Sequence, residues 1–499
     1  MTEKNKNYSQ IIRSSSLIGG AQSLNMLIGM VRVKFVAILI GPVGVGLVAT
    51  YQSLLQMIGT VAGLGLHSSA VRDVAQAVSQ HDQQHIGRTV LSLRRMCFLS
   101  GSIGALTVIL FSNTLSLITF DSSEYANGIA LSGLVILFAN LKGGQMALIQ
   151  GMRRISDIAK LNIIGATCGA IISVTLYWFL GVDGIVPAIV ALSLTELIAS
   201  WWYARKVNVP KVSMTWGESF KTAGGMIKMG LAFMWNGLLI ATVAYVTRTL
   251  ITQEIDLIAV GTFSAAYALS GIVVNFILGA MGADYYPSLT ALNHDHKKMK
   301  ELVNQQTEVG LLLAMPGLIA TIAFAPLIIK LFYTSEFYES IDLLQWFAVG
   351  CIGRVVSWPL GYIVLAKGLS KLFVITETMI NLFHLLLIVL MLKLFGIEGV
   401  AMAFPILYFI YTVMMLGVAK LLIDFSWSKN VWKMIFVFSP IVMFVFCSSI
   451  YFSEINSMLI GGIVSGFVGL ICIKGLVQRW GDKHRINRII MKIPFIKCI

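Results

Sequence analysis

Stretches of about twenty apolar residues recur along the 499-residue chain, separated by short polar connections. A helix of that length crosses the ~30 Å hydrocarbon layer of a bilayer, where backbone polar groups must be satisfied internally. Fourteen such stretches are read. The first pair lies near 12–40 and 43–66, the fifth and sixth near 159–180 and 182–203, the eleventh and twelfth near 372–395 and 398–424. The last two lie near 434–452 and 457–477. The sequence therefore predicts an all-α polytopic membrane protein with 14 transmembrane helices. Composition agrees, with 57% hydrophobic and 12% charged residues, about half the charge with which a soluble domain covers its surface. Soluble enzyme classes are excluded on that ground.

The formal net charge is +14, which in a soluble protein would point to nucleic acid. Here the bases fall in alternate connections: Arg94, Arg95, Arg153, Arg154, Arg205 and Lys206 early, then Lys297, Lys298, Lys367, Lys371, Lys429 and Lys433. The intervening connections carry Asp121, Glu124, Asp183, Glu254, Asp256, Glu336, Glu339, Glu398 and Glu454. The positive-inside rule then places both termini in the cytoplasm and removes the need for a nucleic-acid partner. The connections on the acidic side are short, too short to present a catalytic carboxylate as an embedded polymerase or glycosyltransferase would. No enzyme activity is expected. The six cysteines include no CxxC pair, so neither a metal nor a cofactor is expected.

Gly181-Val182-Asp183-Gly184 recurs 215 residues later as Gly396-Ile397-Glu398-Gly399, both times in a tight turn between apolar stretches. The same offset carries Gly46 onto Gly261 and Asn162 onto Glu377. Each repeat would hold six spans and keep one orientation, giving two pseudo-symmetric six-helix lobes plus two C-terminal helices. The expected divisions are an N-terminal lobe over 1–226, a C-terminal lobe over 227–424, spans 13 and 14 over 425–478, and a basic cytoplasmic tail over 479–499. Such a body places its cavity between the lobes. The competing reading is a chance match of short glycine turns.

Ionisable groups at membrane depth are costly, so each marks a candidate site. Gln22, Asn25, Gly29 and Arg32 share one face of span 1. Span 7 carries Asn236, Tyr245 and Arg248, the last within one residue of the repeat counterpart of Arg32. Two facing guanidinium groups suit a phosphate, because planar donors bind two oxygens together; the alternative is that both snorkel to the interface. Lys142 and Arg354 are near-equivalents closer to the cytoplasmic side, with snorkelling again the rival. Glu377, Asn381 and His384 share a face of span 11. They are ion-coupling candidates, against a satisfied structural network with Arg354. Glu196 and Asp284 are weaker candidates. The balance is basic, whereas a cation-extruding pump would present carboxylates and aromatic rings.

The run Gly41-Pro42-Val43-Gly44-Val45-Gly46-Leu47 resembles the signature of bacterial O-antigen translocases. These form part of the polysaccharide transporter branch of the multidrug/oligosaccharidyl-lipid/polysaccharide exporter superfamily. Tyr285-Tyr286-Pro287-Ser288-Leu289 is similar to that family's Leu-Pro-x-Leu segment, and Gly361–Lys367 to its connection between spans 10 and 11. The resemblance covers about residues 10–425. It implies a flippase that moves an undecaprenyl-diphosphate-linked oligosaccharide, an O-antigen unit or a similar surface-glycan precursor, from the cytoplasmic to the periplasmic leaflet of the bacterial inner membrane by alternating access. In that reading Arg32 and Arg248 hold the diphosphate, with Lys142 and Arg354 assisting. Asn25, Gln22, Gln52, Gln56, Asn236 and Tyr245 meet sugar hydroxyls, and Glu377, Asn381 and His384 serve coupling. The expected partners are the undecaprenyl-diphosphate-linked glycan, membrane lipid and other glycan-assembly membrane proteins. The rivals are a multidrug or cation antiporter of the same fold and, from another class, a membrane-embedded glycosyltransferase or polymerase.

Overall fold

A computed structural model gives the architecture. It describes the backbone of residues 3–80 and 82–480, and side chains from Leu24 onward except at 81, 283 and 480. The basic tail and the Gln22 side chain lie outside the described residues.

The described residues form helices and no strand. They run α1 (Glu3–Gly63), α2 (Leu66–Ser79), α3 (Gln83–Leu110), α4 (Ser112–Phe120), α5 (Ala126–Gly151), α6 (Ile155–Leu180), α7 (Ile185–Ala204) and α8 (Trp216–Glu254). The order continues with α9 (Leu257–Ala291), α10 (His296–Ala323), α11 (Ala325–Phe332), α12 (Ser340–Ala366), α13 (Ser370–Ile423), α14 (Lys429–Tyr451) and α15 (Glu454–Trp480). The chain divides into two compact units, Met1–Gly261 and Thr262–Ile499.

Eleven stretches are long and apolar enough to cross a membrane, where the sequence predicts fourteen. The difference falls at three long stretches, Leu24–Gly63, Ile155–Ala204 and Ser370–Ile423. The last has 54 residues, which at 1.5 Å each is about 80 Å, more than twice the hydrocarbon thickness. Each stretch is bent at one glycine in the left-handed region: Gly41 (φ 59°), Gly181 (φ 56°) and Gly396 (φ 62°). One such residue redirects the chain while helical pairing continues on both sides, so no loop marks the junction.

The two units repeat an element order. In the first, the Asp82 carboxylate caps α3 by accepting from the His85 N–H at 3.0 Å; in the second, Asp295 caps α10 by accepting from the Lys298 N–H at 3.0 Å. Both helices have 28 residues and give way to a short helix, α4 or α11, after a bend at Phe111 or Phe324. Then α5 matches α12, and the pair α6 and α7 matches the two arms of α13. Both hairpins turn by the same device. A Cβ on Gly184 would stand 2.6 Å from the Leu176 carbonyl oxygen, and one on Gly399 would strike that of Met391, its counterpart at the repeat offset.

The core of the first unit gathers Tyr51, Leu54, Ile129, Ile136, Tyr177 and Ile185. The second has an aromatic centre, with Phe347 edge-on to both Phe263 and Phe404. The C-terminal helices α14 and α15 pack on α10. The Arg479 guanidinium donates to Glu308 at 2.6 Å, and Ser428 Oγ donates to the same carboxylate at 3.2 Å. Large apolar side chains such as Phe179 and Leu421 remain outward, where lipid rather than water suits them.

Candidate functional site

In the first unit a cavity of about 230 Å³ opens between α1, α5, α6 and α7, lined among others by Asn25, Lys142, Asn162, Glu196 and Ser200. Lys142 and Glu196 are its charged members, and Lys142 Nζ lies 2.7 Å from Glu196 Oε2. The hairpin at Gly181 makes this pair possible by returning α7 along α6. Gly165 leaves the room, since a Cβ there would sit 3.2 Å from Glu196 Oε1. The two side chains keep 35% and 30% of their surface accessible, so the pair faces the cavity instead of being sealed in protein. Asn25 Oδ1 is buried without a hydrogen-bond partner, a costly arrangement unless something polar enters.

Arg32 leans on α6. Its Nε donates to Ser173 Oγ at 3.0 Å, the Tyr177 hydroxyl lies within its reach, and Gly169 leaves space beside the guanidinium. Arg248 Nη1 donates to the Ala244 carbonyl of its own helix at 2.9 Å. The Tyr245 hydroxyl meets Thr119 Oγ1 at 2.8 Å, which ties α8 to α4. Asn236 Oδ1 is buried with no partner. Gln52 and Gln56 are both exposed, and Gln56 lines a second cavity of about 380 Å³ with Thr60, His67 and Asn140. There His67 Nδ1 lies 3.0 Å from the Gly143 carbonyl oxygen.

In the second unit the Tyr411 hydroxyl donates to Glu377 Oε1 at 3.1 Å, across the hairpin at Gly396. Asn381 Nδ2 donates to the Glu377 carbonyl at 2.8 Å. His384 follows one turn on, with no hydrogen bond to either. Arg354 on α12 and Glu377 both act electrostatically on the buried Tyr408, yet Glu377 makes no ion pair among the described residues.

The sequence does not show that Glu196 meets Lys142, nor that Asn140 and His67 line one cavity with Gln56. The signal it does carry is that an amide or a charge inside an apolar stretch needs a partner. It identifies such residues one by one and cannot say which of them meet.

The described residues, all helical and with eleven stretches long and apolar enough to cross a bilayer, are those of a multi-pass membrane protein, and its relatives place it among transporters. The chain belongs to the polysaccharide biosynthesis protein family, whose model matches residues 35–342. It is similar to the lipid III flippase of Escherichia coli (strain K12), with 23% identity over 407 residues that cover 78% of this chain and 93% of that protein. Among solved structures, the lipid II flippase MurJ in an inward closed conformation shares the fold with a TM-score of 0.67 at 14% identity, covering 92% of this chain and 99% of that one. The inward-facing multidrug resistance MATE family transporter of the MOP superfamily aligns with a TM-score of 0.63 at 14% identity, covering 80% and 94%.

Proposed function

We propose that this protein is a flippase for a lipid-linked glycan, carrying an undecaprenyl-diphosphate-linked oligosaccharide from the cytoplasmic to the periplasmic leaflet of the bacterial inner membrane by alternating access. The observation that carries the reading is the charge inside the apolar helices of the first unit. Arg32, Lys34, Lys142 and Arg248 stand there with Glu196 paired to Lys142, while the other carboxylates of those stretches, Asp157, Asp183, Glu218 and Glu254, sit at helix ends or at the Gly181 bend. A basic interior in low dielectric favours an anionic headgroup and disfavours a cationic drug. The similarity to a lipid III flippase supports the same choice, whereas the fold alone is common to flippases and multidrug transporters. Family and relatives together support a transporter over an enzyme.

In this reading Arg32, Arg248 and Lys142 bind diphosphate oxygens, and Arg354 is the corresponding base of the second unit. Asn25, Gln22, Gln52, Gln56, Asn236 and Tyr245 offer hydrogen bonds to sugars, and Glu377 with Asn381 and His384 is the coupling group. Counting each of the three glycine-bent stretches as two crossings gives fourteen spans with both termini cytoplasmic. Six fall in each repeat, over 1–226 and 227–424, and two follow in 425–478 before the tail at 479–499.

The test is thermal stabilisation of the purified protein, since a ligand held only by the native state raises apparent stability by mass action. Undecaprenyl-diphosphate-sugar is expected to stabilise the wild type and to lose its effect in Arg32→Ala/Arg248→Ala. Stabilisation by a lipophilic cation alone overturns the reading.

A further inference from the structure

We infer that Glu196 is an internal stand-in for the substrate's phosphate: it holds Lys142 while the cavity is empty and yields it to the arriving diphosphate. This rests on the flippase reading above. An ammonium group left alone among apolar helices would be strongly penalised, and the carboxylate 2.7 Å away offsets part of that penalty. The same contact means that Lys142 is never a vacant anion site. An incoming diphosphate must displace Glu196, and Glu196 competes for the lysine again when the headgroup is to leave. A diphosphate, with more charge and more acceptor oxygens than one carboxylate, wins this exchange when bound, but by less than it would win over an empty site. A ligand held too tightly in one state stalls the exchange between states, and a built-in competitor limits trapping at this station.

Three further observations fit an exchangeable pair. About a third of each side chain is accessible to the cavity. Asn25, Asn162 and Ser200 surround the pair with uncharged polar groups. Asn25 Oδ1 has no partner and can receive the ammonium during the exchange. The repeat counterparts of Asn162 and Glu196 are Glu377 and Tyr411. There the carboxylate sits on the other arm of the hairpin and takes a tyrosine hydroxyl instead of a lysine, so among the described residues the second unit has no lysine–carboxylate pair at the equivalent place.

The experiment titrates full-length protein in nanodiscs with undecaprenyl diphosphate that carries no sugar. Glu196→Gln keeps the side-chain shape and removes the competing charge; it is expected to bind about tenfold tighter, ~1.4 kcal/mol, and to release the lipid more slowly in proteoliposomes. Gly165→Ala crowds Glu196 without touching any charge and is expected to tighten binding about two- to threefold, or less than 1 kcal/mol. Lys142→Gln is expected to weaken binding and to abolish the effect of Glu196→Gln in the double variant. Unchanged or weaker binding by Glu196→Gln and Gly165→Ala, with the wild type still binding, overturns the inference and leaves the flippase reading standing. No binding by folded wild type overturns both.

Discussion

Gly46 and Gly261 pack as reciprocal partners within the first unit. A Cβ on Gly46 would strike the carbonyl oxygen of Leu257, and a Cβ on Gly261 would strike that of Pro42. The offset of 215 residues that carries Gly46 onto Gly261 also carries Pro42 onto Leu257. The contact therefore maps onto itself when the repeats are exchanged, which is the signature of a self-complementary packing of two related helix starts.

Because the obstacle on each side is backbone and not a flexible side chain, alanine at Gly46 or Gly261 is expected to destabilise by about 1–3 kcal/mol or to abolish folding. Gly59→Ala meets nothing within 4 Å and serves as the control. Thermal unfolding of the three purified variants checks this; equal midpoints would mean that the helix starts separate at little cost.

The bends at Gly181 and Gly396 have open space around them, so their requirement for glycine is purely conformational. Alanine at either position is expected to cost about 1–2 kcal/mol through the left-handed backbone alone. With ψ at −130° and −144° both lie outside the left-handed helical well that asparagine tolerates, so asparagine should cost as much as alanine. The comparison of the two substitutions by thermal unfolding separates backbone strain from packing.

If Glu377 is the coupling group, Glu377→Gln should retain binding of the lipid and lose the dependence of transport on the proton or sodium gradient. Tyr411→Phe removes the donor 3.1 Å from the carboxylate and should shift that dependence without erasing it. Transport assays in proteoliposomes with imposed gradients check this; unchanged gradient dependence in Glu377→Gln assigns the residue to structure.

Arg479 holds Glu308, whose side chain is only 11% accessible. Arg479→Ala leaves that carboxylate with Ser428 alone, and is expected to destabilise by about 2 kcal/mol. Adding Glu308→Gln should restore part of the loss. Thermal unfolding of the single and double variants measures the coupling.

Much of this was legible in the chain. Apolar stretches fixed the helices, and the recurring Gly-x-acid-Gly located both hairpins. The sequence separates fourteen spans where the described residues show eleven stretches long and apolar enough to cross a membrane, because a glycine at positive φ turns a helix without breaking it and three neighbouring pairs run on as single stretches. Asn162 and Glu377 could be matched by counting, but the partners facing them could not. Glu377 and Tyr411 lie 34 residues apart, as do Asn162 and Glu196, and only the closed hairpin brings such residues together. The contact of Arg32 with Ser173 spans 141 residues, and no local pattern announces it.

At the offset of 215 residues Asn162 corresponds to Glu377, and Glu196 to Tyr411. The acid sits on opposite arms, neutralised by an amine in one copy and bonded to a phenol in the other. A chain rebuilt from two first halves would therefore carry two lysine–carboxylate pairs and no Glu377.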